Sequence, residues 1–427
     1  IGTGALRSDV AMFVVYQFEN RCSIYHLIKS TAIYKSGVEY EQGMRKRPPS
    51  KFGVALVQEY RKRGLTKSDV RGKVNLTRDE IHRFDARKND VFFTRTSETP
   101  EEVGMSSVLL DDIDDCVFSG FVLRGRPKND MFVPEYCKYC FTTEAIRSAI
   151  IMGCTYTTRA LTNGTQLSAI EIVVPPKPEQ EAIAKSLTEI DDLISSLEKL
   201  ITKKKAIKQG AMQELLTGKR RLPGFSGEWE TRTLHEISNE MVDGPFGSNL
   251  KTEHYTTERQ VRIIQLSNIG EAGWNNANVK YTTFSHAAEL QRCIVQPGSI
   301  LIAKMMPAGR AIICPDNEKS YILGSDVVKV VPNSSVDSRY LVYATKSRFY
   351  LDQIADDTQG STRARTSVSK LRKTAILFPE KDEQIAIADI LSEMDMEIAA
   401  LEGKIAKYRQ IKQGMMQQLL TGKIRLV

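Results

Sequence analysis

The chain of 427 residues has room for two or three domains, and its 41% hydrophobic and 26% charged residues are ordinary for a globular protein. It has no run of about 18 apolar residues and no segment resembling a secretion signal, which argues against a membrane protein or a secreted one. A net charge of +8 mildly favours a polyanionic partner. Because the sequence begins at Ile1 without a Met, we expect a trimmed or incomplete N-terminus.

The seven cysteines are scattered and odd in number, which indicates a reducing cytoplasm rather than a disulfide framework. Cys137 and Cys140 form a single C-x-x-C pair. A zinc site would need a second pair or neighbouring histidines, and the nearest preceding histidine is His82. We therefore interpret both as ordinary thiols and expect no metal site.

Residues 1–174 alternate short apolar runs with turn signals and amphipathic stretches. Strands are expected at Asp90–Thr94 and Phe118–Leu123, and a helix at Tyr136–Met152. This order predicts an α+β domain with a twisted, partly barrel-like sheet. Met44–Val74 carries about ten Lys or Arg against two acidic residues, typical either of a solvated loop or of a nucleic-acid surface.

Residues 175–222 carry the signals of one long helix. An apolar, strand-like run at Ile170–Val174 is ended by Pro175, Pro176 and Pro178, and the helix is expected from near Glu179. Gly218 stands where a C-capping glycine belongs, and Gly210, inside the helix, indicates a bend or the close approach of another helix. Apolar residues at spacings of four and three form a heptad seam of Ile183, Leu187, Ile190, Ile194, Leu197 and Ile201.

The same order of elements returns further along the chain. Residues 223–374 predict strands at Val261–Leu266, Ser299–Ala303 and Val327–Val331 and a helix at Arg339–Ile354, hence a second α+β domain. Residues 375–427 then predict a second long helix that ends before Gly422. Its seam consists of Ile387, Leu391, Met394, Ile398, Leu401 and Ile405.

These two helices are copies of one repeat. Pro175–Leu222 aligns without a gap on Pro379–Leu426, and roughly 28 of the 48 positions are identical. Thr158–Thr162 matches Thr362–Thr366 more faintly at the same offset. A single apolar stripe would indicate only a core helix, but two matched heptad helices favour pairing as an antiparallel coiled coil. The predicted fold is α+β: two domains in tandem, each followed by a long helix.

Together these features resemble the specificity subunits of type I restriction–modification systems. The resemblance rests on the doubling, on the proline-rich entries Pro175–Gln180 and Pro379–Gln384, and on the Leu-Leu-Thr-Gly-Lys helix ends. In the second copy, Trp229, Asp243–Ser248 and Gln265–Ile269 are similar to the family's entry into a target-recognition domain. The first 70 residues lack the Gly-Pro-Phe-Gly-Ser stretch of the second copy.

The resemblance implies that 1–174 and 223–374 are target-recognition domains, each reading one half of a bipartite, asymmetric sequence in double-stranded DNA. The spacer helices, 175–222 and 375–427, would set the separation of the half-sites. They would also dock methyltransferase subunits, for which we expect two copies, and restriction motor–nuclease subunits would assemble on these. We accordingly expect a cytoplasmic, non-catalytic subunit without cofactor; the sequence has no methyl-donor motif, phosphate-binding loop or metal-ligating cluster.

Recognition needs cations for phosphates and polar side chains for base edges. We chose residues beside the repeated strand ends and in the glycine-rich entry of the second domain; the simpler interpretation is that such loop positions recur because the fold recurs. The candidate DNA-binding residues are Arg95, Thr158, Arg159, Ser248, Asn249, Lys251, Lys304, Thr362, Arg363 and Arg365.

Three alternatives remain at the level of sequence. The chain could serve a different restriction system that has a fused methyltransferase–nuclease, which the co-purifying catalytic subunit would reveal. A coiled-coil scaffold that binds only proteins predicts no salt-dependent DNA affinity. A standalone enzyme, the reading with least support, predicts turnover or a bound cofactor.

Overall fold

The computed structural model describes residues 14–16, 52–55, 63–70, 72–305, 307–358 and 365–426. It divides into two compact units: unit 1 is Ile1–Leu197 with Lys404–Val427, and unit 2 is Glu198–Gly403. Each unit therefore contains a segment of both long helices. In the basic stretch Met44–Val74, residues 44–51, 56–62 and 71 lie outside the described residues. None of the helices that the structure describes is long and apolar enough to cross a membrane.

The elements of unit 1 are short apart from the long helices. Its strands are β1 (Val14–Tyr16), β2 (Phe52–Ala55), β3 (Gly64–Leu65), β4 (Gly72–Asn75), β5 (Val91–Thr94), β6 (Thr96–Ser97), β7 (Ser106–Leu109), β8 (Cys116–Val117), β9 (Val122–Arg126), β10 (Thr155–Tyr156) and β11 (Ala160–Leu161). Its helices are α1 (Arg78–Arg83), α2 (Pro134–Cys140), α3 (Glu144–Gly153), α4 (Gly164–Ser168) and the first half of α5 (Lys177–Leu215).

Three sheets organise unit 1 within the described residues. The largest has the order β1-β9-β5-β7-β3, and the smaller ones are β10-β11-β6 and β4-β2-β8. Val91 and Phe93 of the central strand face a core that also holds Tyr136 and Tyr139 of α2. The start of α5 and the end of the second long helix close this core, which includes buried residues from both: Ile183, Leu187, Leu419 and Leu420.

Unit 2 repeats this plan with more strands. Its strands are β12 (Glu230–Thr233), β13 (Ser238–Asp243), β14 (Tyr255–Thr256), β15 (Val261–Ile264), β16 (Ile269–Gly270), β17 (Gly273–Trp274), β18 (Tyr281–Thr282), β19 (Ile294–Val295), β20 (Ile300–Ala303), β21 (Ala311–Ile313), β22 (Tyr321–Leu323), β23 (Val327–Pro332) and β24 (Ala375–Phe378). Its helices are α6 (Phe284–Glu289), α7 (Ser338–Ala344), α8 (Arg348–Thr358), α9 (Val368–Lys373) and the first half of α10 (Lys381–Leu419).

Two larger sheets, β13-β23-β20-β21 and β14-β18-β15-β22-β19, dominate unit 2, with β12-β24 and β16-β17 as short pairs. The parallel pairing of β15 with β22 is flanked by antiparallel neighbours. The four-stranded sheet packs on a core that contains Leu215 and Leu216 at the end of α5 and Ile387 and Leu391 at the start of α10. Both long helices thus contribute to this core as well.

The long helices, α5 and α10, are each 39 residues long. α5 begins at Lys177, two residues before the expected start, because the fixed φ of a proline such as Pro178 suits the first helical turn. The predicted C-capping glycines are confirmed: Gly218 has φ +68° and Gly422 φ +72°. The expected close approach at Gly210 is wrong, since a Cβ there would meet nothing within 4 Å.

Within each unit the two long helices run antiparallel and contact each other, as the sequence predicts. In unit 2, Lys204 of α5 pairs with Glu397 of α10 at 2.7 Å, and Lys208, one turn later, pairs with Asp395. In unit 1 the carboxylate of Asp191 pairs with Lys412. The α+β class and the helix pairing are therefore those expected from the repeat.

The predicted seam residues are mostly buried. Ile190, Leu197 and Met394 are half-buried, whereas the others are less than a tenth exposed: Ile183, Leu187, Ile194, Ile201, Ile387, Leu391, Ile398, Leu401 and Ile405. Near the ends of each helix pair the seam residues belong to the cores of the two units rather than to a helix–helix contact alone. That all twelve residues serve helix pairing stays a prediction, and so do the domain boundaries at 174, 222 and 374.

Several local expectations need correction. The single helix expected at Tyr136–Met152 is two, α2 and α3, because the hydroxyl of Thr143 accepts a hydrogen bond from the backbone of Ile146 and starts a new helix. The helix expected at Arg339–Ile354 is likewise two, α7 and α8. There Ser347 accepts a bond from the backbone of Tyr350 at 3.3 Å.

Three predicted strands also differ. Phe118–Leu123 reaches strand geometry only at Val122, because a turn in which Val122 donates to the carbonyl of Ser119 precedes β9. Ile170–Val174 forms no regular strand among the described residues, although Ile172 is buried. The strand predicted at Val261–Leu266 is shorter, Val261–Ile264, and all four of its residues are buried between β18 and β22.

Candidate nucleic-acid interface

Three candidate DNA-binding residues of unit 1 lie on one small sheet. Arg95 lies between β5 and β6, and its carbonyl accepts a hydrogen bond from the backbone of Thr162 at 3.0 Å. Thr158 and Arg159 occupy the exposed turn between β10 and β11, and β11 pairs with β6. Arg95 is half-buried. The fold therefore brings together residues more than 60 positions apart that the sequence could only propose separately.

In unit 2 two corresponding residues, Lys304 and Arg365, meet at the end of the four-stranded sheet. Lys304 follows β20 and is 5% exposed, and its ammonium contacts the carboxylate of Asp243 at 2.5 Å. Its carbonyl accepts a bond from Thr366 at 2.8 Å, the same backbone link that joins Arg95 to Thr162 in unit 1. A phosphate at Lys304 would have to compete with the carboxylate of Asp243 for the ammonium. Lys304 is therefore better suited to stabilising this end of the sheet than to binding DNA by itself.

Arg365 is more accessible than Lys304 at this end of the sheet. Its side chain is 53% exposed and donates to the carboxylate of Asp326 at 2.8 Å. An exposed ion pair of this kind contributes little to stability, so the guanidinium can leave Asp326 for a phosphate at a small cost in free energy. Thr362 and Arg363, which precede it, lie outside the described residues.

The glycine-rich entry of the second domain forms a loop directly after β13. Ser248, Asn249 and Lys251 are all exposed on it. The loop is anchored at Gly244, whose backbone donates to the carbonyl of Val327 at 3.0 Å. A Cβ at Gly244 would lie 1.9 Å from the carbonyl oxygen of Gly324, so only glycine allows this approach.

Two stacked histidines support the far end of this loop. The rings of His254 and His286 have centroids 4.0 Å apart. Nδ1 of His254 accepts from the backbone of Lys251 at 3.1 Å, and Nε2 of His286 lies 2.9 Å from the carbonyl of Asn249. The loop is thus held by its backbone, while its exposed side chains make only local contacts: Ser248 Oγ donates to Oδ1 of Asn249 at 3.2 Å, and Lys251 pairs with Glu253 at 3.6 Å.

A cleft beside the loop contains residues that sequence reasoning missed. Phe246, 84% exposed, lines it together with Asn249, and Gln291 and Arg292 line the opposite side and are also exposed. Phe246 lies within the Gly-Pro-Phe-Gly-Ser stretch, so its position could have been noticed, whereas Gln291 and Arg292 carry no signal in the sequence. Amide and guanidinium groups beside an exposed ring are suited to base edges and phosphates.

The two cysteines of the C-x-x-C pair are buried in the core of unit 1, where burial raises the pKa of the Cys140 thiol. Within the described part of the chain no group of three or more His, Cys, Asp or Glu side chains is arranged to hold a metal ion.

The start of each long helix is joined to the segment that follows the other long helix by contacts that the repeat duplicates. In unit 1 Arg425 makes two hydrogen bonds to Glu179, of 2.6 and 2.5 Å, and Arg221 of unit 2 makes the same pair to Glu383, of 2.7 and 2.8 Å. The Arg425 guanidinium lowers the pKa of the Glu179 carboxyl. Trp229 also donates to Glu383, at 2.9 Å.

The glutamine after each of these glutamates fixes the segment that leads into the domain's helices. Gln180 accepts from the backbone of Val133 at 2.9 Å and donates to the carbonyl of Met131, also at 2.9 Å. Gln384 makes the equivalent bonds to Asp337 and Ser335 in unit 2. In each repeat the glutamate therefore binds the segment after the other long helix, and the glutamine connects its own helix to its own domain.

Comparison with known proteins agrees with this architecture. The family described as type I restriction modification DNA specificity domain matches residues 59–209 and 227–408. Two solved structures share the fold: a chain of the type I R-M system, with a TM-score of 0.52 at 16% identity covering 87% of this chain and 92% of that one, and the type I S subunit from M. genitalium, with a TM-score of 0.53 at 14% identity covering 87% and 93%.

Two curated relatives from Methanocaldococcus jannaschii are also similar. The type I restriction enzyme MjaVIII specificity subunit is 26% identical over 271 residues, which cover 60% of this chain and 63% of that protein. The match thus spans less than two thirds of that relative. The putative MjaX specificity subunit is 23% identical over 370 residues, 82% of each chain.

The two α+β units, each followed by a repeated long helix, have the fold of type I S subunits. The chain belongs to the family of DNA specificity (S) subunits of type I restriction–modification systems, which are non-catalytic subunits of the enzyme complex.

Proposed function

We propose that this chain selects a bipartite, asymmetric target in double-stranded DNA, with one unit reading each half-site. The observation that carries the proposal is the duplication: in both units a glutamine of the long helix makes the same bonds to its own domain, while the exposed candidate surfaces of the two domains differ. Two domains that are attached to the helices in the same way, but that differ in their exposed surfaces, suit a DNA target made of two unlike half-sites.

The finer assignments follow from this division of labour. Phosphate contacts would come from the exposed arginines Arg159 and Arg365, and base contacts from polar side chains such as Asn249. The helix pair would dock two methyltransferase subunits, and restriction motor–nuclease subunits would assemble on these in the cytoplasm. A system with a fused methyltransferase–nuclease is the alternative, and the identity of the catalytic subunit that co-purifies separates the two.

Modification-sensitive sequencing of host DNA, with and without this gene, tests the proposal. We expect the loss of adenine methylation at one split motif, in which two short defined sequences flank a gap of fixed length. An active methyltransferase complex that modifies a continuous motif would contradict two-part reading. If the methylome is unchanged, DNA binding measured over a salt series separates a silent specificity subunit from a protein-only scaffold, because the scaffold has no salt-dependent DNA affinity.

A further inference from the structure

A polar junction in unit 1 joins three elements at a single carboxylate. The hydroxyl of Tyr139 on α2 donates to Oδ2 of Asp191 on α5 at 3.0 Å and lies 3.1 Å from the hydroxyl of Thr188. Lys412, on α10, donates to Oδ1 of the same aspartate and lies 5.6 Å from the centre of the Tyr139 ring. One aspartate therefore holds the domain and the helix of the other repeat at the same time.

Unit 2 contains the same junction. The hydroxyl of Tyr343 on α7 donates to Oδ2 of Asp395 on α10 at 2.8 Å and contacts Ser392 at 3.4 Å. Lys208 of α5 donates to Oδ1 and lies 5.4 Å from the centre of the Tyr343 ring. Because each of these positions matches its counterpart in unit 1 at the repeat offset, the junction is a duplicated feature rather than an isolated surface contact.

The carboxylates are needed because the junctions gather positive charge. Lys412 is 15% exposed and Lys208 is 14% exposed. Around Tyr139 the cations Arg63 and Lys138 add to Lys412, and burial together with these neighbours lowers the pKa of Lys412. Without its aspartate, each junction would hold half-buried like charges, which favour opening the contact.

The junctions also differ from the apolar contacts around them in being directional. Apolar side chains attract without a preferred orientation, and they tolerate small sliding and rotation. A carboxylate that accepts one hydrogen bond at each oxygen restricts both distance and angle. The apolar cores therefore hold each domain against the helices, whereas the junctions restrict the orientation in which it is held.

We propose that Tyr139, Asp191 and Lys412, with their counterparts Tyr343, Asp395 and Lys208, are positioning residues that set which spacer length the chain accepts between half-sites. The inference rests on the proposed two-part reading of DNA. A change of one base pair moves a half-site by about 3.4 Å and rotates it by about one tenth of a turn. A domain held at a fixed angle rejects that shift, and a domain freed at its junction follows it.

The test uses the complete restriction–modification system in its host. Asp191→Asn and Asp395→Asn are combined, and plasmids carry the target with the native spacer or with one base pair more or less. We expect the wild type to methylate targets with an altered spacer at least about 30-fold more slowly than the native target. In the double variant this difference in rate is expected to fall to about 5-fold, which is similar to the penalty of one mismatched base pair. Discrimination against single mismatches inside either half-site is expected to stay unchanged.

The matched control removes charge from the helices at another place. Glu397→Gln with Glu402→Gln breaks the ion pairs to Lys204 and Lys205, both 2.7 Å, which join α5 to α10. We expect this variant to keep the spacer selectivity of the wild type. Unchanged selectivity in a folded Asp191→Asn, Asp395→Asn variant overturns the inference, and so does an equal loss of half-site discrimination.

A second variant and a second measurement test the inference even if the aspartate variant does not fold or the system does not modify DNA. Tyr139→Phe with Tyr343→Phe keeps both ion pairs and removes only the hydroxyl bonds, so it is expected to relax spacer selectivity in part. In the same variant, amide hydrogen exchange of α2 and α7 is expected to accelerate, whether or not a target is known; unchanged exchange overturns the positioning role. A wild-type system that modifies no split motif contradicts the proposed function instead.

Discussion

At the scale of the residue, the most informative contacts are those in which one side chain serves two elements. Glu179 is 2% exposed and is held by Arg425, from the far end of the chain, while its neighbour Gln180 holds the entry to α2. A buried carboxylate is stable only when it is paired, so this glutamate and this arginine depend on each other. Arg159, Asn249 and Arg365, the side chains proposed to contact DNA, are exposed instead, which is the condition for meeting a ligand.

The Glu179–Arg425 pair makes stability depend on pH. The pKa of Glu179 is lowered from its ordinary value of 4.5, first by the hydrogen bonds from Arg425. The unfolded chain therefore takes up this proton at a higher pH than the folded chain does. The stabilisation by this carboxylate is complete above the unfolded pKa and is lost as the pH falls through the lower, folded pKa.

We expect Glu179→Gln to unfold more easily at pH 7, by about 1–3 kcal/mol, and to show a flatter loss of stability below about pH 4.5 than the wild type. Denaturant titrations at a series of pH values measure both effects. Glu214→Gln is the control, because the Glu214–Arg220 pair is exposed at 3.6 Å. Parallel acid profiles for wild type and Glu179→Gln would contradict this role.

Single cations in the proposed reading loops should act on DNA binding and not on folding. Arg363→Ala and Arg159→Ala are each expected to weaken binding about tenfold and to reduce the salt dependence by about one unit of slope, the value for one lost phosphate contact. Binding isotherms over a salt series measure this, with thermal unfolding as the check on the fold. Arg348→Ala, which alters a 91% exposed side chain on α8, is the control. Unchanged binding would mean that these loops do not contact DNA.

At the scale of the element, the long helices combine an intrinsic weakness with strong tertiary support. α5 has Gly210 in its interior, and α10 has Gly403 and Gly414. A glycine adds no side-chain contact to a helix and loses more conformational entropy on folding than alanine does. Each helix nevertheless remains regular over 39 residues, because the seam and the two domain cores bury its apolar face.

Replacing Gly210 and Gly414 should therefore stabilise the protein. A Cβ at either position meets nothing within 4 Å, so Gly210→Ala with Gly414→Ala is expected to add about 1 kcal/mol per site to the free energy of unfolding. Thermal and urea denaturation measure the gain. Gly244→Ala, which would place a Cβ 1.9 Å from a backbone oxygen, is the contrasting variant and should destabilise. A loss of stability in the helix variant would indicate that its glycines have a partner or a functional bend.

At the scale of the whole molecule, neither unit corresponds to one continuous half of the chain. Unit 1 takes its closing helix segment from the second repeat, and unit 2 takes the end of α5 from the first. The last helical turns of α10 supply Leu419 and Leu420 to the core of unit 1, about 230 residues after Ile183 and Leu187 on the same core. Each unit therefore depends on residues of both repeats for its core.

The sequence by itself determined the elements whose signals are local. Heptad spacing, proline entries and capping glycines are read within one segment, and the duplication needs only comparison of the chain with itself, so the two helices, their pairing and the α+β class were predictable. Helix breaks at Thr143 and Ser347 were not, because a single hydroxyl redirects the backbone there without altering the apolar period.

Only the tertiary structure decided which polar residues meet. Lys304 is proposed from sequence as a DNA contact, yet it is buried against Asp243, which lies 61 residues earlier. The junction at Asp191 joins Tyr139, 52 residues before it, to Lys412, 221 residues after it. Neither pair of positions produces a periodic pattern in the sequence, because a hydrogen bond or an ion pair depends on the distance between two groups in space and not on their spacing along the chain.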